Sequence, residues 1–136
     1  NWSHSKKNVL RGWHYQIKEP QAKLVRVTNG IVYDVIIDLR EFSPTFKKWY
    51  GVKLSSNNKK LLWVPAGCAH GFYVLSATAD FVYKTTQFWY PEYERCIIWN
   101  DKDLSIDWNI EGKPILSKSD SNGVKFKIAE YFKWKF

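Results

Sequence analysis

Arginine and histidine side chains lie three residues apart in the stretch NVLRGWHYQ, residues 8–16, which is otherwise rich in apolar and aromatic residues. A guanidinium binds anions such as phosphates, and an imidazole gains or loses a proton near neutral pH. An ordinary strand needs neither Arg11 nor His14. We interpret the two residues as a candidate site that binds an anionic ligand and moves a proton.

The remaining histidines place one further candidate in apolar sequence. His70 lies in CAHGF, whereas His4 lies in a polar stretch and is expected to be exposed. Proton abstraction beside a ketone requires a base with a pKa near neutral, a role for His14. The developing enolate requires a cation or donor, a role for Lys23 or His70. A carboxylate to orient the base and a tyrosine acid would complete such a site, but composition selects neither.

Short strand-like runs must position these residues. Val, Ile, Tyr, Trp and Thr dominate six runs, and such residues favour strands: KLVRVTNG, IVYDVIIDL, KKWYGVKLS, KLLWVPAG, HGFYVLS and ADFVYKTTQFWY. The TNG sequence, residues 28–30, predicts a hairpin turn, and SSNN and SPT predict loops. Alternation places Phe81, Tyr83 and Thr85 on one strand face. The pattern predicts an all-β antiparallel barrel or jelly roll, with a helical or irregular C-terminal tail packing on it.

Length and composition favour one domain over residues 1–136. The net charge is +8 with 24 aromatic residues, a combination that suits a nucleotide ligand or single-stranded nucleic acid. There is no apolar run of about 20 residues and no signal-peptide pattern, so we expect a cytoplasmic protein without membrane contact. Cys68 and Cys96 are expected to be reduced, buried thiols. The chain begins with Asn1 and contains no Met, which predicts N-terminal truncation.

The stretch PAGCAHGF, residues 65–72, resembles the second cupin motif in its Pro-x-Gly-x-x-His spacing. Metal-binding cupins carry a His-x-His pair in their first motif, and the matching place here reads His14-Tyr15-Gln16. One imidazole is missing, so zinc or iron would have too few ligands. The sequence therefore predicts a cupin jelly-roll barrel that has a cavity and uses neither metal nor other cofactor.

Longer motifs identify a specific family. NVLRGWHYQ, PQAKLVRV, LWVPAGCAHGF, FVYKTT and IIWND occur in order, and together they resemble the dTDP-4-dehydrorhamnose 3,5-epimerases over residues 1–120. The resemblance implies a homodimeric cupin enzyme that converts dTDP-4-dehydro-6-deoxy-D-glucose to dTDP-4-dehydro-L-rhamnose. Both inverted carbons, C3 and C5, flank the C4 ketone. One base can therefore act twice.

The resemblance also implies roles for individual residues. His14 matches the proton acceptor, Tyr83 the proton donor, and Asp120 the carboxylate paired with the base. Lys23 matches the lysine near the sugar oxygens, and Arg11 the arginine that binds the diphosphate. Both Arg11 and His14 would reach one ligand if Gly12 lets the strand bulge. The other matched substrate-binding positions are His70, Phe88 at the thymine-stacking position, Glu94 at the nucleotide end and Asn1 in an N-terminal binding segment.

Three departures from the family pattern accompany this match. The family's binding lysine directly precedes the carboxylate, whereas here that place is Ser119 and Lys118 comes one residue earlier. Lys118 is the candidate for this substrate contact, which it would make through a shifted loop, or else the contact is lost. Phe88 lacks the hydroxyl of the usual tyrosine, so stacking survives and a hydrogen bond does not. The family's preceding segment, which contacts substrate and joins the dimer, is absent from the sequence.

Two other functions stay open. Related cupins invert only C3 or only C5 of dTDP-ketosugars, and the sequence does not separate them from a double epimerase. A non-catalytic protein that binds dTDP-sugars, or single-stranded nucleic acid, is the alternative from another class. Steep weakening by salt would be typical of nucleic-acid binding.

Overall fold

Nine β-strands form most of the regular structure in the computed structural model, which describes residues 1–135. They are β1 (Trp2–Lys6), β2 (Leu10–Gln16), β3 (Lys23–Asn29), β4 (Ile31–Asp38), β5 (Trp49–Ser55), β6 (Leu61–Val64), β7 (Cys68–Val74), β8 (Thr78–Thr85) and β9 (Glu94–Ile97). Each of the six predicted runs overlaps one strand from β3 to β8. The predicted loop at SPT lies between β4 and β5, and SSNN runs from the last residue of β5 into the connection to β6. The all-β prediction is therefore confirmed.

The strands form two antiparallel sheets. One has four strands in the order β1-β8-β3-β6, and the other has five in the order β5-β4-β7-β2-β9. Strands that follow one another in sequence often belong to different sheets, so the chain crosses repeatedly between the two layers. This topology confirms the predicted jelly roll.

The five-stranded sheet is covered on both faces, and β7 is buried along its whole length. An inner apolar cluster fills part of the space between the sheets: Val25, Val27, Val32, Leu54, Val64, Cys68, Phe72, Val74, Ala79 and Phe81. An outer cluster packs the opposite face against the C-terminal third of the chain: Leu10, Trp13, Tyr15, Ile17, Val35, Ile37, Leu39, Ala69, Tyr73, Ile97, Leu104, Trp108, Phe126 and Phe132. Two-sided burial explains why these strands are nearly continuous apolar runs.

The hairpin predicted at residues 28–30 is wrong. A turn does separate β3 from β4, but β3 pairs with β6 and β8, whereas β4 pairs with β5 and β7. Gly30 therefore carries the chain from one sheet to the other. Its φ is +79°, and a Cβ at this position would lie 2.1 Å from the carbonyl oxygen of Thr78. Glycine adopts the positive φ of this turn as readily as that of a hairpin turn. The turn signal in the sequence therefore does not say which strands pair.

The C-terminal tail packs on the body of the domain, as expected. It contains a 3-10 turn at Phe126–Ile128, and Phe126 and Phe132 are buried. A single bridge joins Phe132 to Arg40 in parallel orientation. Phe136, the last residue of the predicted tail, lies outside the described residues. A short helix, α1 (Lys118–Ser121), precedes this tail.

No helix among residues 1–135 has the length and apolar character needed to cross a membrane.

Candidate active site

A cavity of about 590 Å³ opens between the two sheets. Nine of the ten predicted site residues line it: Asn1, Arg11, His14, Lys23, His70, Tyr83, Phe88, Glu94 and Asp120. Lys118 does not belong to the lining, because it is exposed on α1 while its neighbours Ser117 and Ser119 face the cavity. The predicted substrate contact of Lys118 therefore finds no support in the position of this residue.

A bulge in β2 brings the two residues of the opening motif to one cavity. The ladder to β7 runs from Leu10 opposite Tyr73 and Arg11 opposite Phe72 to His14 opposite His70, with a register shift between Arg11 and His14. A bulge of this kind changes which face a following side chain takes. Close backbone approach accompanies it, since a Cβ on Gly71 would lie 2.7 Å from the Arg11 carbonyl oxygen. The bulge expected at Gly12 is thus confirmed.

His14 and Asp120 form a close histidine–carboxylate pair. Nε2 of His14 lies 2.7 Å from Oδ1 of Asp120, and the Gly12 amide donates to the same oxygen at 2.8 Å. Asp120 belongs to α1 and is buried. Ser117 and Asp120 form a reciprocal capping box, in which the Ser117 hydroxyl accepts from the Asp120 amide and the Ser117 amide donates to Oδ2. The Ser117 hydroxyl also donates to Oδ2. The cap fixes the carboxylate that orients the imidazole.

The electrostatics of this pair favour an ion pair at neutral pH. Burial alone would raise the pKa of Asp120, but hydrogen bonds from His14, Ser117 and Gly12 hold it at about 2. Burial alone would lower the pKa of His14, yet Asp120 and Glu94 outweigh it and raise the pKa to about 9. The imidazole is therefore a strong proton acceptor once deprotonated.

Glu94, the first residue of β9, supplies a second carboxylate beside the imidazole. Its Oε1 lies 3.4 Å from Nδ1 of His14, which makes no hydrogen bond of good geometry. The nearby His14 imidazole lowers the pKa of Glu94, with further support from the Trp89 side chain and the charge of Lys23. Glu94 thus lies beside the expected base, and its contact with the nucleotide end stays a prediction.

Lys23 and His70 bring positive or donor groups to the inner end of the cavity. Burial lowers the pKa of Lys23, opposed by the charges of Asp34 and Glu94. Nε2 of His70 lies 3.0 Å from both carboxylate oxygens of Asp34, which is fully buried. Sequence reasoning missed Asp34. Its signal was an acidic residue inside the apolar run IVYDVIID, since buried charges are normally paired.

Tyr83 lies on the opposite sheet from His14. It belongs to β8 of the four-stranded sheet and lines the cavity together with Phe81 and Thr85, as the predicted strand face requires. Burial raises the pKa of the Tyr83 hydroxyl despite the opposing charge of Arg11. The phenol therefore keeps its proton at neutral pH and can act as a donor.

Exposed aromatic rings border the outer part of the cavity. Phe88 and its neighbour Trp89 both line it and are largely exposed. Sequence reasoning selected only Phe88, although Trp89 offers a second apolar face in the same loop. At the edge of the four-stranded sheet, the backbone nitrogen of Asn1 donates to the Tyr83 carbonyl at 3.0 Å.

The His-x-His ligand set of metal cupins is not formed at Gln16. The side-chain amide of Gln16 donates to the Glu19 and Phe88 carbonyls and accepts from the Tyr90 amide. These contacts use Gln16 to anchor the loop after β8. The nitrogen of His70 that meets Asp34 is likewise engaged.

Comparison with known proteins identifies the family. A family model described as dTDP-4-dehydrorhamnose 3,5-epimerase matches residues 1–127. The Pseudomonas aeruginosa dTDP-4-dehydrorhamnose 3,5-epimerase is 56% identical over 132 residues, which span 97% of this chain and 73% of the relative. The Legionella pneumophila dTDP-6-deoxy-D-glucose-3,5-epimerase, solved with dTDP-4-keto-L-rhamnose, has a TM-score of 0.96 and 45% identity over 100% of this chain and 74% of that one.

A Streptomyces bikiniensis 3'-monoepimerase, solved with dTDP-quinovose, has a TM-score of 0.87 and 32% identity over 93% of this chain and 65% of that one. The fold therefore extends to a relative that acts at one carbon. The long family match and the high identity to 3,5-epimerases nevertheless decide the family. This chain belongs to the dTDP-4-dehydrorhamnose 3,5-epimerase family.

Proposed function

We propose that this chain converts dTDP-4-dehydro-6-deoxy-D-glucose to dTDP-4-dehydro-L-rhamnose by inverting C3 and C5. The observation that carries the proposal is the placement of a base and an acid on opposite walls of one cavity. His14, paired with Asp120 at 2.7 Å, lies on the five-stranded sheet, and Tyr83 lies on the four-stranded sheet. Inversion requires removal of a proton from one face of a carbon and delivery to the other.

The reaction proceeds through an enolate at each centre. Neutral His14 takes the proton from the carbon beside the C4 ketone, and Asp120 stabilises the imidazolium that forms. Lys23 and His70 stabilise the negative charge on the C4 oxygen. Tyr83 then gives its proton to the opposite face of the carbon. Solvent returns a proton to the tyrosinate and removes one from His14 before the second centre reacts.

The outer part of the cavity binds the nucleotide. Arg11 pairs with the diphosphate, because a guanidinium suits phosphate oxygens. Phe88 stacks on thymine, and we add Trp89 as a second stacking face. Asn1 and Glu94 contact the substrate from the two edges of the cavity. Lys118 would need a shift of α1 to reach it.

The decisive experiment is proton NMR of this chain with dTDP-4-dehydro-6-deoxy-D-glucose in heavy water. Loss of both the C3 and C5 proton signals, with ring couplings of the L-rhamno product, is the expected result. Loss of one signal would establish a single-position epimerase instead. Binding of dTDP without any exchange would establish a non-catalytic dTDP-sugar-binding protein.

Tyr83→Phe separates the acid from the base. The variant lacks the donor on the four-stranded sheet but keeps His14 and Asp120. We expect deuterium to enter at C3 and C5 while inversion falls by about 10²-fold or more, because His14 can return a proton only to the face from which it took one. Unchanged inversion would remove Tyr83 as the acid.

The single-position alternative is favoured by the Streptomyces 3'-monoepimerase, whose structure this chain resembles closely.

The nucleic-acid alternative is tested separately with a labelled single-stranded oligonucleotide at low salt. We expect no binding, because Arg11 and Lys23, which line the cavity, are assigned to the diphosphate and the C4 oxygen of the proposed substrate. Binding that weakens steeply with salt would support that alternative.

We also propose that the enzyme is a homodimer that pairs through the outer face of the four-stranded sheet. Four large apolar side chains are exposed on this face: Trp2, Leu24, Leu61 and Trp63. The strand register places Leu24 directly opposite Trp63, and it aligns Trp2 with Leu61 in the neighbouring row through Val82 and Arg26. An exposed apolar patch on a sheet is typical of a protein interface.

Sedimentation velocity tests the dimer with matched tryptophan variants. Trp63→Glu should shift the protein to the monomer, because it places a charge in the apolar patch. Trp134→Glu changes an exposed tryptophan of the C-terminal tail and should leave the sedimentation coefficient unchanged. A wild-type monomer, or equal behaviour of the two variants, would contradict this interface.

A further inference from the structure

Three side chains that can bind a transition metal converge beside the expected base. His14 comes from β2, Cys96 from β9 and Asp120 from α1. His14 and Cys96 are direct partners in the β2–β9 ladder, so their side chains project on the same face. One donor atom of each of the three residues lies within 4.8 Å of the others. An imidazole nitrogen, a sulfur and a carboxylate oxygen therefore surround one small volume.

This donor set suits zinc. Zn²⁺ binds imidazole nitrogen, thiolate sulfur and carboxylate oxygen at about 2.0–2.3 Å in tetrahedral geometry, which separates donor atoms by roughly 3.3–3.8 Å. The three donor atoms, which lie within 4.8 Å of one another, would reach that spacing by rotation of their side chains. The fourth position would face the cavity, where solvent can occupy it. Three protein ligands and one open position describe zinc sites that remain accessible from solution.

The other cysteine offers a matched contrast. Cys68 is buried near the start of β7, and its charged neighbours are Arg40 and Asp38. No histidine joins Cys68 in a three-ligand group within the described part of the chain. Of the two free cysteines, Cys96 and not Cys68 therefore belongs to a three-ligand group among the described residues.

We propose that His14, Cys96 and Asp120 bind Zn²⁺, or a similar borderline-soft divalent cation, as an inhibitor of the enzyme. Binding displaces to solvent the thiol proton of Cys96 and the proton on the nitrogen of His14 that becomes a ligand. The bound base can no longer accept a carbon-bound proton, and Asp120 no longer orients it. The inhibitory consequence rests on the proposed epimerase function, whereas metal binding itself does not.

Cobalt tests the binding without reference to activity. Co²⁺ replaces Zn²⁺ in such sites and gives a thiolate-to-metal charge-transfer absorption in the near ultraviolet when a cysteine is a ligand. We expect this band in titrations of the wild type and of Cys68→Ser, and its loss in Cys96→Ser. Absence of the band from the wild type, or its persistence in Cys96→Ser, would overturn the proposed site.

Inhibition is measured on the same three proteins with added ZnCl₂. Each protein is compared with its own metal-free rate, so a basal effect of either substitution does not enter. We expect Zn²⁺ to inhibit the wild type and Cys68→Ser equally, a chelator to restore activity, and Cys96→Ser to need at least about tenfold more Zn²⁺. Equal sensitivity of all three proteins would overturn the proposal. So would purification with stoichiometric zinc whose removal abolishes activity.

A failure of the proposed function remains distinguishable from a failure of this site. A protein without epimerase activity that shows the cysteine-dependent cobalt band has the metal site and lacks the reaction. An active protein without the band has the reaction and lacks the metal site.

Discussion

Two histidine–carboxylate pairs lie side by side in the cavity, and they are built differently. His14 and His70 are direct partners in the β2–β7 ladder. In the first pair, 23% of the His14 side chain is exposed and its partner Asp120 comes from α1, outside the sheet. In the second, the side chains of His70 and Asp34 are 6% and 0% exposed, and both belong to the five-stranded sheet.

The difference indicates a division of labour. Asp120 places one oxygen on His14 and uses the other in the capping box, so the imidazole is oriented while its surroundings stay open to substrate. Asp34 places both oxygens within 3.0 Å of the same nitrogen of His70 and is closed to solvent. The accessible pair is suited to moving protons, and the enclosed pair to holding a hydrogen-bond donor in place.

The largest expected difference between the two pairs is the effect on kcat of replacing each histidine. We expect His14→Asn to lower kcat for deuterium exchange at both C3 and C5 by about 10³-fold or more, because general base catalysis contributes about 10²–10⁴ and no other imidazole occupies this position. His70→Asn keeps a donor near the C4 oxygen and should lower kcat by roughly 10–10²-fold. Single-turnover NMR in heavy water measures both.

The fold provides the control for this comparison. Circular dichroism and dTDP binding of both variants should match the wild type, since the proposed nucleotide contacts lie in the outer part of the cavity. A near-normal kcat in His14→Asn, or a larger loss in His70→Asn, would reverse the assignment of the two pairs.

Replacing each carboxylate by an amide of the same size tests the difference between the two pairs further. Asp120→Asn removes the charge that stabilises the imidazolium, so we expect kcat to fall by about 10²–10³-fold. Asp34→Asn leaves a carbonyl oxygen to accept from His70, and we expect a loss of about tenfold or less. Parallel measurements of kcat and KM on the two variants show which substitution lowers kcat more. Equal losses would mean that both histidines exchange protons with the substrate.

Sequence and structure agree where a local pattern determines the result. The glycine beside Arg11 and His14 predicted the bulge, and alternation in β8 predicted the inward face of Tyr83. Both depend on the two-residue period of a strand, which the sequence displays directly. The position of Asp120 came instead from the family resemblance, since nothing local connects α1 to β2.

The features that were missed depend on contacts between distant strands. The turn at Gly30 was expected to join paired strands, because a two-residue turn signal does not reveal whether the chain changes sheet. Asp34 lies 36 residues from His70 and meets it only through the β4–β7 ladder. Glu94 reaches His14 through β9, whose place at the sheet edge is likewise set by the tertiary fold.

The pH dependence of activity tests the proton affinity of the accessible pair. With the His14 pKa raised to about 9, kcat/KM should increase about tenfold per pH unit up to pH 9, because only the neutral imidazole is a base. In Asp120→Asn the pH at which kcat/KM stops rising should move down toward 6.5, the ordinary pKa of histidine, while Glu94 still stabilises the protonated His14 imidazole. If kcat/KM of the wild type stopped rising near pH 6.5, the ion pair of His14 with Asp120 would be contradicted.

The same shift has a defined effect on stability. The folded-state pKa of His14 lies above its unfolded value of 6.5. The protonated imidazole therefore stabilises the fold fully below pH 6.5, and this contribution is lost as pH rises toward 9. Urea unfolding between pH 6 and 9 should show a decline in the wild type that His14→Asn lacks.

The smallest expected effect concerns the enclosed pair. Asp34 has no solvent to replace a lost interaction, so Asp34→Asn should lower the free energy of unfolding by about 1–3 kcal/mol. Asp120→Asn, beside the open cavity, should cost less at pH 9, where His14 is partly neutral and the ion pair is weaker. Urea unfolding at that pH compares them directly. A greater loss in Asp120→Asn would mean that the capping box, and not the enclosure of Asp34 by the sheet, is the more important structural use of a carboxylate in this cavity.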